Sequence, residues 1–523
     1  MQRKTTRSLR MMYSLIIALL VLSQTAMTGS ASAGQSGTHK IERFQDTVKI
    51  SVMATVRSSE VEPPPGDWFL HQAILDELNI DVDFQWLASN DEYDQKLQTR
   101  AAANDLPDVF IIRPVSVPLL AEQGLLGDWT PLLDSMPEFV AQRNVEELKP
   151  IGTYDGKMLT LTTASPDPYK GIVAIRQDWL DNLGLEVPVT LDDYLNVMKA
   201  FTEDDPDGNG QDDTYGWSGS VDSLGQIGSF DPIFGAFGAL SDWSLADNTL
   251  TAQVSSEGRK QALDFINQMN AAGVIDPDWT AQTGQDFQTK WKSGRIGIFY
   301  NDWCATFCLQ GYGEFVQANP TGWLEVIAPP TGPDGLSATS PRNNVGSQYG
   351  ISQAAASDER GEAVARFLEW ITTDGYERTA FGQLDVDYHK AEDGTITQEI
   401  QPEHLIQRQL CGWAYKGAEA ELKARYGTVT DYENGQTVDV YAVLEKAASL
   451  PKYDITQFAA LPPYPADVSA DLQRTIGEGQ FAFATGSRSI DEWDDYVSTL
   501  NDVGLQQWID EATEKAREIG LIT

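Results

Sequence analysis

Five aspartates, one asparagine and three glycines fall within the thirteen residues DDPDGNGQDDTYG, Asp204 to Gly216. An oxygen-rich calcium loop wants ligands at its first, third, fifth, seventh and ninth positions and a glycine at the sixth for the sharp turn. Counted from Asp205, those positions are Asp205, Asp207, Asn209, the Gln211 carbonyl and Asp213, with Gly210 at the sixth. The twelfth position, where a bidentate carboxylate usually sits, is Gly216. A last ligand must then come from Asp204, Asp212, bidentate Asp213 or a residue elsewhere. Packing so many like charges without a cation is costly, so the pattern predicts Ca2+ rather than an exposed acidic turn. A cation saturated by oxygens has no open position at which to activate water, and the expected role is structural.

A second group can bind instead of react. In YNDWC, residues Tyr300, Asn301, Asp302 and Trp303 follow the apolar run RIGIF and so sit at a predicted strand end. The C–H face of a sugar stacks on indole or phenol while its hydroxyls need Asp, Asn, Gln or Arg. Trp303, Asp302 and Asn301 form such a corner; the alternative is that Trp303 simply packs between lobes. Trp217, Trp243, Tyr349, Trp413 and Arg113 are further cleft candidates. Trp179, Trp370, Trp493 and Trp508 lie within helical patterns and read as packing residues.

Catalysis finds less support. The four histidines, His39, His71, His389 and His404, stand beside no serine or cysteine in a nucleophile motif such as G-x-S-x-G. A carboxylate pair could serve a glycosidase, but among 77 acidic residues some pair always looks suggestive. Three cysteines, Cys304, Cys308 and Cys411, allow one disulfide and one leftover thiol, with the pairing open. Without nearby histidines, zinc is not expected.

These groups need a scaffold. At 523 residues the chain exceeds the roughly 250–300 at which one core stops growing, so two lobes are expected. A 41% hydrophobic and 22% charged composition is that of a folded protein, and a net charge of −40 argues against nucleic acid or anionic membranes as partners. The first 33 residues read as an export signal: Arg3, Lys4, Arg7 and Arg10, then the apolar stretch Leu15 to Leu22, then Ala31-Ser32-Ala33 for cleavage. No later stretch approaches the roughly 18 apolar residues of a membrane span.

VKISVMATV alternates as a strand, WFLHQAILDELNI spaces its apolar residues as a helix, IDVDFQW alternates again, DEYDQKLQTRAAAND is helical, and LPDVFII closes as a buried strand. This β-α-β-α-β order predicts an α/β fold with a parallel sheet and a ligand beyond the carboxyl ends of its strands. The Pro-containing loop between MLTLTTA and GIVAIR is a candidate hinge, and the tail from EWDDYV onward is helical.

Taken together, LPDVF at 106–110, DGKMLTL from Asp155, RQDWLDNLGLEVPVTLDDYLNVMKAF from Arg176, the aspartate loop, GRIGIFYNDW from Gly294 and RSIDEWDDYV from Arg488 resemble a known family. It is the extracellular solute-binding proteins of bacterial ABC importers, family 1, in the branch similar to oligosaccharide-uptake lipoproteins. The resemblance implies a two-lobed, type II-like periplasmic-binding-protein clamp hinged on crossing segments. The expected lobes are 34–162 plus about 295–345, and 163–294 plus about 346–523. It also implies a carbohydrate held between lobes, handover to ABC permease subunits, a monomer, and a structural calcium on Asp205, Asp207, Asn209, Gln211 and Asp213. Thr214 stands where a further carboxylate ligand is expected, and LSQTAMTGSASAG lacks the lipid-attachment cysteine of many relatives. The expected location is therefore periplasmic or extracellular without a lipid anchor. The competing readings are a secreted glycoside-active enzyme and a surface sensor or adhesion protein built on the same clamp.

Overall fold

The structure is a computed structural model that describes residues 41–55, 68–87, 90–113, 116–164, 171–221, 227–307, 309–339, 341–342, 345–392, 394, 396–398, 413, 430–431, 435–465 and 467–523. The predicted export signal, the hinge loop 165–170, Cys308 and Cys411 lie outside the described residues.

Two sheets organise the fold. Their strands, in chain order, are β1 (Val48–Thr55), β2 (Ile80–Leu87), β3 (Val109–Ile111), β4 (Thr160–Ala164), β5 (Gly171–Arg176), β6 (Tyr215–Trp217), β7 (Ile296–Asp302), β8 (Leu324–Ile327) and β9 (Val345–Ile351). The first sheet has the order β2-β1-β3-β9-β4 and the second the order β8-β5-β7-β6. As predicted, β1, β2 and β3 are parallel, with the helices Phe69–Leu78 and Asn90–Ala102 as crossovers. Val48, Ile50 and Val52 are buried, and so are Met53 and Ala54, because helices cover this strand on both faces.

The rest of each sheet is mixed, and the reason is the crossing. β4 runs toward the carboxyl edge of the first sheet, and the chain then passes to the second sheet. A strand that enters from that edge must run the other way, and β5 is antiparallel to both β7 and β8. The return crossing after β8 has the same result, since β9 is antiparallel to β3 and β4.

This topology corrects the expected lobe boundaries. Residues 296–302 and 324–327 belong to the second sheet, whereas 345–351 belongs to the first. Helix Glu359–Thr372 also packs on the first sheet, with Phe367 edge-on to Phe84 at 6.1 Å. The segments near 295–345 and just after 346 thus exchange lobes relative to the expectation. The C-terminal helices Ser469–Thr485, Trp493–Asp502 and Leu505–Glu518 share a core with the second sheet.

The motif residues carry structural duties. In LPDVF, Asp108 accepts from Ser51 N at 2.7 Å, and from an Arg360 guanidinium nitrogen, also at 2.7 Å, tying β1 to helix Glu359–Thr372. In the second lobe, helix Leu191–Glu203 starts on a Thr190–Asp193 capping box and buries Leu191, Tyr194, Val197, Met198 and Phe201. It ends at Asp204, so the aspartate loop connects this helix directly to β6.

Candidate functional site

β6 and β7 are parallel, so both end at the edge of the second sheet where the chain crosses between lobes. Ser220, three residues beyond β6, and Tyr300, Asn301 and Asp302 at the end of β7 line a cavity of about 360 Å³, with Gly171 and Ser229 beside them. Each group is fixed locally. Ser229 Oγ accepts from Ser220 N at 3.0 Å, and Asn301 Nδ2 donates to Thr306 Oγ1 at 3.0 Å. Asn301 Oδ1 accepts from Gln288 Nε2 at 3.2 Å. Asp302 Oδ1 accepts the backbone N–H groups of Cys304 at 2.8 Å and Ala305 at 3.1 Å, capping the short helix Trp303–Phe307.

Tyr300 is held from behind. Its hydroxyl bonds to the Asp231 carboxyl group, which lies next to Arg259. Loss of solvent pushes Asp231 up to about 7, against the opposing pull of Arg259 and Tyr300. The Arg259 guanidinium lies 4.4 Å over the Phe234 ring and reaches Gln480 Oε1 at 3.5 Å. The pocket floor is thereby linked to the C-terminal helix Ser469–Thr485.

Of the predicted sugar-binding residues, Asn301 and Asp302 meet in this cavity. Trp303, however, is 1% exposed and turned into a core with Ile172, Phe299 and Phe307, which corrects its expected role as a cleft wall. Trp217 and Trp243 are buried as well: Trp217 stacks on Phe230 at 6.0 Å and Trp243 packs on Trp508 at 4.3 Å. A ring surrounded on all sides by protein offers no face to a ligand. In the first lobe, Tyr349 of β9 meets Trp413 edge-on at 4.7 Å, and both are buried. Arg113, just past β3, is half exposed and ion-paired with Asp94. Gly171, Ser220, Ser229, Gln288, Asp231 and Arg259 were not among the candidates expected from the sequence. The one signal for any of them was the run of small residues Ser218-Gly219-Ser220 directly after β6.

In the aspartate loop, Gly208 and Gly210 take φ of 68° and 74°, left-handed turns that suit glycine. Asn209 Nδ2 donates to Asp207 Oδ2 at 2.9 Å and to Asp213 Oδ1 at 3.3 Å, while Asp205 accepts from the Asn209 and Gly210 N–H groups at 3.1 and 3.0 Å. Burial raises the Asp207 carboxyl, and Asp205 and Asp213 add to the shift. No group of three or more metal-type side chains is assembled among the described residues. The carboxylates here are turned toward amide donors instead of a common centre. Cys304 is disulfide-bonded, and its partner lies outside the described residues.

Residues 70–378 match the family of bacterial extracellular solute-binding proteins. The chain belongs to this family. This solute-binding protein is 27% identical over 397 residues to the polygalacturonan/rhamnogalacturonan-binding protein YtcQ of Bacillus subtilis, an alignment covering 74% of this chain and 76% of YtcQ. It is 22% identical to the fructooligosaccharide ABC transporter substrate-binding protein FusA of Streptococcus pneumoniae, covering 95% and 96% of the two chains. The fold matches a solved FusA EF-hand mutant in complex with fructo-nystose, with a TM-score of 0.65, 18% identity and 90% and 99% coverage. It also matches an HMO-binding solute-binding protein of Bifidobacterium longum infantis, with a TM-score of 0.67, 17% identity and 90% and 98% coverage. The solute-binding clamp expected from the sequence is therefore the fold. Among the described residues no helix is long and apolar enough to cross a membrane.

Proposed function

We propose that this chain captures an oligosaccharide between its lobes and delivers it to the permease of an ABC importer, acting as an exported, non-catalytic monomer. The observation that carries this reading is the meeting of Tyr300, Asn301, Asp302, Ser220 and Ser229 around one cavity at the crossing edge. A hinged clamp closes on its ligand at that edge, and polar groups held rigid by their own hydrogen bonds suit a polyhydroxylated solute. YtcQ and FusA, whose names state carbohydrate binding, support the ligand class. Closure would bury the sugar, and the closed form would be the one handed to the permease. Arg113, half exposed, would belong to the facing wall supplied by the first lobe, with the buried Tyr349–Trp413 pair as packing behind it.

The loop would hold one Ca2+ through Asp205, Asp207, Asn209, the Gln211 carbonyl and Asp213 as a structural clamp between helix Leu191–Glu203 and β6. Hard oxygen donors and the Gly210 turn support this, as does the EF-hand of FusA. Asn209 Nδ2 lies between two carboxylates, and rotating that amide would bring its oxygen to the same point.

The experiment is a thermal-shift and fluorescence titration of the mature protein against mono- and oligosaccharides, with product analysis of the same samples. A saturable shift with intact sugar is expected. Cleaved sugar would make the protein a glycosidase, and no shift with any sugar would overturn the reading.

A further inference from the structure

We infer that the pocket selects uncharged saccharides and discriminates against uronic-acid oligomers, a selectivity that rests on the sugar-binding reading above. Among the described lining residues the charged one is Asp302, an anion. Its Oδ1 is committed to two backbone N–H groups, which fix the carboxylate in place. Its Oδ2 has no partner among the described residues and is left to accept from a ligand.

The other polar groups point the same way. Ser229 spends its hydroxyl on the Ser220 backbone, and the Asn301 amide is engaged at both ends, by Gln288 and Thr306. Behind Tyr300 stands a second carboxyl group, Asp231, whose Oδ1 lies 4.0 Å from where a Cβ on the lining residue Gly228 would be. The buried cation in this part of the lobe, Arg259, is shared between Asp231 and Asp242. On the facing lobe Arg113 is already paired with Asp94.

A pocket with a spare carboxylate oxygen matches hydroxyl donors. A uronate brings an acceptor-only anion toward Asp302 inside a chain of net charge −40. The chain thus departs in ligand charge from its relative YtcQ, named for binding polygalacturonan.

The test is calorimetric titration of the mature protein with size-matched tetrasaccharides: nystose, maltotetraose and xylotetraose against tetragalacturonic acid, at low and high NaCl. Binding of a neutral tetrasaccharide at least about tenfold tighter than tetragalacturonate is expected, with the gap narrowing at high salt. Asp302→Asn keeps the capping oxygen and removes the charge, so it should close much of the gap. Tetragalacturonate binding as tightly as any neutral sugar would overturn the selectivity while leaving the sugar-binding reading intact. Failure of every sugar to bind would overturn both. An unchanged gap in Asp302→Asn would remove Asp302 as its cause and sink the inference.

Discussion

The Tyr300 hydroxyl occupies the space above Gly171: a Cβ built on Gly171 would come within 2.2 Å of it. Gly171 is the first residue of β5, where the chain arrives from the first lobe, and it pairs with Asp302 across the sheet. The glycine lets a tyrosine lie flat at the entrance to the second lobe. Gly171→Ala should displace Tyr300 and weaken ligand binding about tenfold, with an overpacking cost of about 1–3 kcal/mol in stability. Titration calorimetry and thermal melts read the two effects separately. Unchanged affinity would show that Tyr300 has no part in binding.

Asp231 makes stability depend on pH. Its folded pKa of about 7 lies above the ordinary aspartate value of about 3.9, so the folded chain binds this proton more tightly than the unfolded chain. The stabilisation is fully present below about pH 4 and is lost as pH rises through about 7. Asp231→Asn should remove that loss, so the melting temperature of the variant relative to the parent rises between pH 4 and 7. A pH-independent difference would show that Asp231 titrates normally.

Trp303 belongs to the core. Trp303→Ala should destabilise the protein by about 3–5 kcal/mol, the usual cost of emptying a buried aromatic site. Sugar affinity measured well below the melting temperature should change little. A variant that melts normally but fails to bind would return Trp303 to the cleft.

Calcium removal should act on the fold before it acts on binding. EGTA should lower the melting temperature by several degrees, and added Ca2+ should restore it, because a cation bound only by the folded state stabilises by mass action. Asp207→Ala should abolish the response. A melt indifferent to Ca2+ in the parent would contradict the clamp.

Much of the first lobe was legible. The alternation of VKISVMATV and IDVDFQW and the helical spacing between them give β1, β2 and the crossover helix, because local periodicity sets these elements. Lobe membership after residue 295 was not legible. Whether β7 or β9 joins the first or the second sheet depends on crossings between residues far apart in sequence, and no local pattern records them. Asn301 and Asp302 were visible as polar residues at a strand end. The orientation of Trp303, one residue later, was not, because the helix that begins there turns its ring inward. Gly171 was hidden for a similar reason: its requirement comes from Tyr300, 129 positions away in the chain.

Oligosaccharide capture at Tyr300 is tested most directly by side-by-side calorimetric titration of the parent protein and Tyr300→Ala with the best oligosaccharide from the panel. Saturable one-to-one binding by the parent, about tenfold or more weaker binding by the variant, and sugar recovered intact from both are expected. Equal affinity in parent and variant, or cleaved product from the parent, would contradict this expectation.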